Sequence, residues 1–111
     1  MTLHERLFFE LSKTGLPVEY LSPRKGHIPK LPFLVYYRYK DATFVADNSR
    51  YSDIEEFYIE LYQKQRDREC EQKVEEALSN LGVFRRETET WIDRENCQLT
   101  TYKISLVKEN N

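Results

Sequence analysis

The chain has 111 residues, of which 40% are hydrophobic and 32% charged, and its net charge is −2. That is one domain's worth, able to bury one modest core and too apolar to stay disordered. No run approaches the ~18 apolar residues of a membrane-spanning helix, the charged start MTLHERLFFELSK is unlike an export signal, and a pI of about 5.7 is below that of most nucleic-acid modules.

Thr2-Leu3-His4-Glu5 has the spacing of a capping box, and Leu3, Leu7, Phe8 and Leu11 recur at helical intervals. They predict an amphipathic helix over 3–13, stopped by Gly15 and Pro17. Val18 to Leu21 reads as a short strand. Ser22 to Lys30 holds two prolines, a glycine and three basic residues, and reads as an exposed loop. Pro32 opens a strand, Phe33 to Tyr39, apolar enough to be covered on both faces for much of its length. Asp41 to Asp53 reads as a turn-rich connection. In Phe57 to Tyr62 the residues alternate, with Phe57, Ile59 and Leu61 on one side and Tyr58, Glu60 and Tyr62 on the other.

Asp67 is a good N-cap for a second helix. Cys70, Val74, Ala77, Leu78 and Leu81 line its apolar face, and Gly82 closes it as a C′ glycine. Strands over about 83–92 and 98–107, joined by a turn at Asp93 to Asn96, form a hairpin with Tyr102, Ile104 and Leu106 inward. Residues 108–111 read as a frayed tail. The expected fold is a single α+β domain over 1–111, in the order α-β-β-β-α-β-β. Its sheet is largely antiparallel, with about five strands, and both helices pack on one face of it.

Catalytic patterns are scarce. There are two histidines. His4 falls in the first helical turn, where it is solvated or partly packed. His27 lies among Arg24, Lys25 and Lys30 with no nucleophile or acid close in sequence. Glu55, Glu56 and Glu60 can be posed as acid and base, but a strand entrance and a solvated face explain them as well. No nucleophile elbow, phosphate-cradling glycine loop or zinc spacing occurs. Cys70 and Cys97 sit in polar sequence and read as free thiols of a reducing compartment. The chain is therefore expected to be no enzyme, with no catalytic, cofactor or metal residues. Basic residues flanking a tyrosine-rich strand would suit single-stranded nucleic acid, but the low pI weighs against that use.

Two features point to protein contact. There are 8 Tyr, and Tyr suits half-wet sheet faces and subunit contacts. Charge is also uneven. Residues 1–50 hold 8 Lys/Arg against 5 Asp/Glu, and residues 51–111 hold 9 against 14, so the halves carry +3 and −5. Such asymmetry favours head-to-tail contact between copies.

Several stretches in order carry a resemblance. Leu31-Pro32-Phe33-Leu34-Val35-Tyr36-Tyr37 is followed by Ala46-Asp47-Asn48 and Tyr51, then Ile59-Glu60-Leu61-Tyr62. An acidic helix ends Leu78 to Gly82-Val83-Phe84, and Thr90-Trp91-Ile92 and Tyr102-Lys103-Ile104-Ser105-Leu106 close the chain. From about Leu7 to Val107 this order resembles the small tail-terminator proteins (also called tail-completion or head–tail joining proteins) of long-tailed phages and prophages of Gram-positive bacteria. The resemblance implies a virion protein, made in the host cytoplasm, that forms a hexameric ring at the head-proximal end of the tail. Such a ring ends tail-tube polymerisation, meets a head-side neck protein and lets DNA pass without holding it. It implies an α+β domain with a curved, mixed sheet and flanking helices, no cofactor and no membrane. The candidates for partner contact are Arg24, Lys25, His27 and Lys30, and those for the subunit interface are Tyr36, Tyr58, Tyr62 and Trp91. The alternatives are a head-completion or connector protein of the neck and a non-phage protein-binding adaptor domain.

Overall fold

The structure, a computed structural model, describes residues 2–21, 29–39 and 54–107. Its elements run α1 (Leu3–Ser12), β1 (Val18–Tyr20), β2 (Phe33–Arg38), β3 (Ile54–Gln63), α2 (Arg68–Ser79), β4 (Val83–Ile92) and β5 (Cys97–Val107). This is the expected α+β order, with a five-stranded mixed sheet arranged β1-β2-β3-β5-β4. β1 pairs with β2 in parallel, and the other neighbours are antiparallel. β3 and β4 therefore run the same way with β5 between them, and α2 is the crossover that joins them.

Local chemistry sets the helices. In α1 the Thr2 hydroxyl accepts from the Glu5 N–H at 3.0 Å, and the Glu5 carboxylate accepts from the Thr2 N–H at 2.8 Å. Two donors at the helix start are thereby satisfied reciprocally. Leu3, Leu7 and Leu11, four residues apart, form the buried stripe. Beyond the C-cap Lys13, Gly15 takes φ +83°, a conformation that a Cβ disfavours. In α2 the Asp67 carboxylate accepts from the N–H groups of Glu69 and Cys70.

Gly82 has a different reason from the one expected. Asn80 is the C-cap of α2, which puts Gly82 beyond C′. A Cβ on Gly82 would come 2.7 Å from the Ser105 carbonyl oxygen, so glycine is required by the close approach of the chain to β5 as β4 begins.

One face of the sheet carries the helices. Leu34 and Tyr36 of β2, Phe57, Ile59 and Leu61 of β3, and Tyr102, Ile104 and Leu106 of β5 point to it. They join Leu3, Leu7, Leu11, Cys70, Val74 and Leu78 in one core. β2 is buried from Phe33 to Tyr36, so both of its faces are covered there, as its sequence predicts. β3 is longer than expected and begins at Ile54, so that Glu55 and Glu56 lie within a strand and point to opposite faces. The two cysteines are free, and both are buried despite their polar neighbours in sequence.

Candidate interaction surface

Strand alternation sends every second residue to the face without helices. There the register aligns Tyr37 with Tyr58, Lys103 and Arg85, and Val35 with Glu60, Thr101 and Thr88. The result is a half-buried band of aromatic rings tied together by two carboxylates and an amine. The Tyr37 hydroxyl donates to Glu60 Oε2 at 3.2 Å, and the Tyr62 hydroxyl donates to Glu60 Oε1 at 2.8 Å. Tyr62 stacks on Phe33 at 4.9 Å, while Tyr58 meets Tyr37 at 5.6 Å and Tyr39 at 5.3 Å. Lys103 Nζ lies 4.5 Å from the Tyr39 ring centre, 5.8 Å from that of Tyr58 and 3.8 Å from Glu56 Oε1, and Ser105 donates to Glu56 Oε2 at 3.1 Å.

Burial pushes the Tyr37 phenol up to about 12, and the adjacent Glu60 charge and hydrogen bond add to it. The Tyr62 phenol is raised for the same reasons. These phenols remain protonated donors at neutral pH. Rings held in fixed rotamers by polar ties lose little entropy when a partner covers them, which is what aromatic anchors of protein interfaces require.

On the helix side, an ionic network joins the N-terminal half of α2 to β4, beside the apolar core. Glu71 is 3% exposed. Its carboxylate lies 3.3 Å from Arg66 Nε and 3.3 Å from Arg86 Nη2. Arg86 also reaches Glu75 at 2.5 Å and Glu89 at 2.9 Å, and Arg66 reaches Glu89 at 2.6 Å. The Tyr102 hydroxyl donates to Glu75 at 2.9 Å. Hydrogen bonds to Glu75 and Glu89 raise the Arg86 pKa further, so the seam stays charged. Removing either partner of such a buried pair is costly, because it strands the other charge.

The expected site residues fall in different places. Arg24, Lys25 and His27 lie outside the described residues. Lys30 is exposed just ahead of β2. Tyr58 and Tyr62 are half-buried on the helix-free face, whereas Trp91, 47% exposed near the tip of the β4–β5 hairpin, is on the helix side by its pairing with Gln98. Tyr36 corrects an expectation. It is 2% exposed, its hydroxyl meets His4 Nε2 at 2.7 Å, and its ring packs against Tyr20 and Phe57. It is a core residue and not an interface residue, because an even position in β2 faces the helices. His4, in turn, is built into this aromatic cluster, with Tyr20 at 4.5 Å.

The acid–base alternative for the β3 carboxylates finds structural partners instead. Glu55 pairs with Arg38 at 2.9 Å on one face, while Glu56 and Glu60 are engaged on the other. Among the described residues no three His, Cys, Asp or Glu side chains form a group able to hold a metal ion, and no helix is long and apolar enough to cross a membrane.

Several members of these networks were missed by sequence reasoning. Tyr37, Glu60 and Lys103 share a face through register, which one strand alone does not give. Glu71 had a readable signal, since with Val74 and Leu78 it forms an i, i+3, i+7 set on the buried stripe. Compared with models of known protein families the chain gives no match, and compared with curated proteins it gives none.

Proposed function

We propose that this chain is a structural subunit of a long-tailed phage or prophage virion, one that assembles into a ring at the head-proximal end of the tail, ends tail-tube polymerisation and joins tail to head. A closed ring is a heterologous assembly, so each subunit must carry two unlike, complementary surfaces. The observation that carries the reading is the inequality of the two sheet edges. β1, with three residues, ends the sheet on one side, and β4, with ten, ends it on the other. Among the described residues neither has a second strand beside it. The tyrosine band between these edges supplies a pre-ordered surface for a neighbouring virion protein.

Strand content favours the tail side of the joint over a more helical head-side connector, since 47% of the described residues are strand and 26% helix. The test is incubation of the purified protein with tubes of tail-tube protein, followed by negative-stain electron microscopy and co-sedimentation. The expected result is a ring capping one end of the tubes and an arrest of their growth. Tubes that keep growing at both ends, with the protein left in the supernatant, would refute the reading.

A further inference from the structure

We propose that the subunit contact joins the two unlike edges, so that the β1 edge of one copy docks on the outer edge of β4 in the next. This rests on the ring reading above and names the surfaces that would close the ring.

The first observation is on β4. A strand at a sheet margin leaves backbone N–H and C=O groups unpaired along its outer side. Ten residues at about 3.3 Å each make that edge roughly 33 Å long. Most of β4 is exposed on both faces as well, with only Phe84, Arg86 and Ile92 half-buried and Val83 82% exposed. A strand or loop laid along such an edge satisfies its backbone irrespective of side chains.

The second observation is on β1. Phe8 of α1, Tyr20 and Leu21 are 46%, 40% and 62% exposed, and together they edge the core at Tyr36. Leu21 has φ +74°, in the left-handed region that residues with a Cβ rarely adopt. Its N–H donates to the Tyr36 carbonyl at 2.8 Å, which fixes the strained residue at the end of the edge strand. An exposed leucine held in strained backbone is an outlier of the kind that marks contact sites.

The two edges also fit each other in level and charge. Through the register Tyr20 aligns with Tyr36, Ile59, Tyr102 and Arg86, and Glu19 aligns with Val35, Glu60, Thr101 and Thr88. The β1 edge therefore stands at the height of the β4 bulge between Arg86 and Thr88. Among the described residues Glu19 has no ion partner, and Arg85, on the same helix-free face of β4 and 69% exposed at its side chain, pairs there with Glu87 alone, at 2.6 Å. A copy docked edge to edge brings Glu19 within reach of Arg85. The partner is a second copy of this chain, because the edges lie at opposite ends of one sheet and repeat the same contact around a ring.

Two variants test this, Leu21→Glu on the β1 edge and Val83→Glu on the β4 edge, both at exposed positions where the fold is preserved and checked by circular dichroism. Oligomers are sized by analytical ultracentrifugation, alone and with tail tubes. The wild type is expected to form closed rings, and each variant to weaken assembly about tenfold or more, equivalent to ~1.4 kcal/mol per contact. An equimolar mixture of the two variants is expected to stop at a one-to-one heterodimer, since only one intact pair of edges remains between them. Variants that assemble like wild type, or a mixture without the heterodimer, overturn the edge contact and leave the ring reading standing. A heterodimer accompanied by open-ended wild-type chains keeps the contact and overturns the ring. A wild type that stays monomeric both alone and on tubes overturns both.

Discussion

The two faces of the sheet are made by the same strands and do opposite work. On the helix side Phe57, Ile59, Leu61 and Ile104 are fully buried beneath α1 and α2. On the other side Tyr37, Tyr58, Glu60, Tyr62 and Lys103 are half-buried and tied to one another by hydrogen bonds and ring contacts. Residues one position apart, such as Phe57 and Tyr58, thus belong to different regions. A side chain on the helix side contributes to stability through area removed from water, whereas one on the helix-free side contributes mainly order to a half-buried surface. A single strand of ten residues can hold the core on one side and carry the tyrosine band on the other because its period is two.

The sharpest way to break this comparison is Phe57→Ala. It is expected to cost about 3–5 kcal/mol, read as a lower urea midpoint with an unchanged slope, because Phe57 is fully buried in the core beneath His4 of α1. A loss no larger than that of Tyr58→Ala would mean that the two faces are energetically alike.

Arg86→Ala tests the ionic seam on the helix side. The expected cost is about 1.5–3 kcal/mol, since Glu71, Glu75 and Glu89 lose a shared charged donor. In a Glu71→Gln background the same change is expected to cost less, because no buried carboxylate is then stranded. Equal costs in the two backgrounds would show that Arg66 alone suffices for Glu71.

The phenols give a comparison in pH. Tyr36, beneath the helices, is raised from 10.0 to about 12 by burial and by Tyr20. Tyr37, on the open face, reaches about 12 through burial together with Glu60. In both, the folded state holds its proton more tightly than the unfolded chain. Their contribution to stability is therefore complete below pH 10 and is lost as pH rises towards 12. Spectrophotometric titration of the tyrosinates, followed with the unfolding free energy, is expected to show that fall. Glu60→Gln should lower the Tyr37 pKa and leave that of Tyr36 unchanged.

The same Glu60→Gln change is expected to have the smallest effect on stability, under about 1 kcal/mol at neutral pH, because its hydrogen bonds are replaced in part. On the proposed function, its measurable consequence is weaker capture by tail tubes, from aromatic rings that are no longer fixed. Unchanged capture would remove the tyrosine band from the contact surface.

Much of this was legible in the residues themselves. The Thr2 and Asp67 caps, the leucine stripe of α1, and the alternation of Phe57 to Tyr62 and of Tyr102 to Leu106 are local patterns. Local patterns specify elements, because capping and periodicity need only neighbours in the chain. They also gave the α+β order and the helices on one face. What sequence could not assign was which strands lie side by side, and with that the partners across them. Tyr36 and Tyr37 are adjacent tyrosines in one apolar run, yet one is sealed under the helices with His4 and the other joins Glu60 on the open face. Gly82 fits a helix stop in sequence, but its need comes from the Ser105 carbonyl more than twenty residues away. The stripe of α2 places Glu71 inward, but the partners that keep its charge there, Arg66 and Arg86, come from two other segments. Elements follow from periodicity within a segment. Burial, pairing and the unequal edges follow from register between segments, which is decided only when the whole sheet closes over one core.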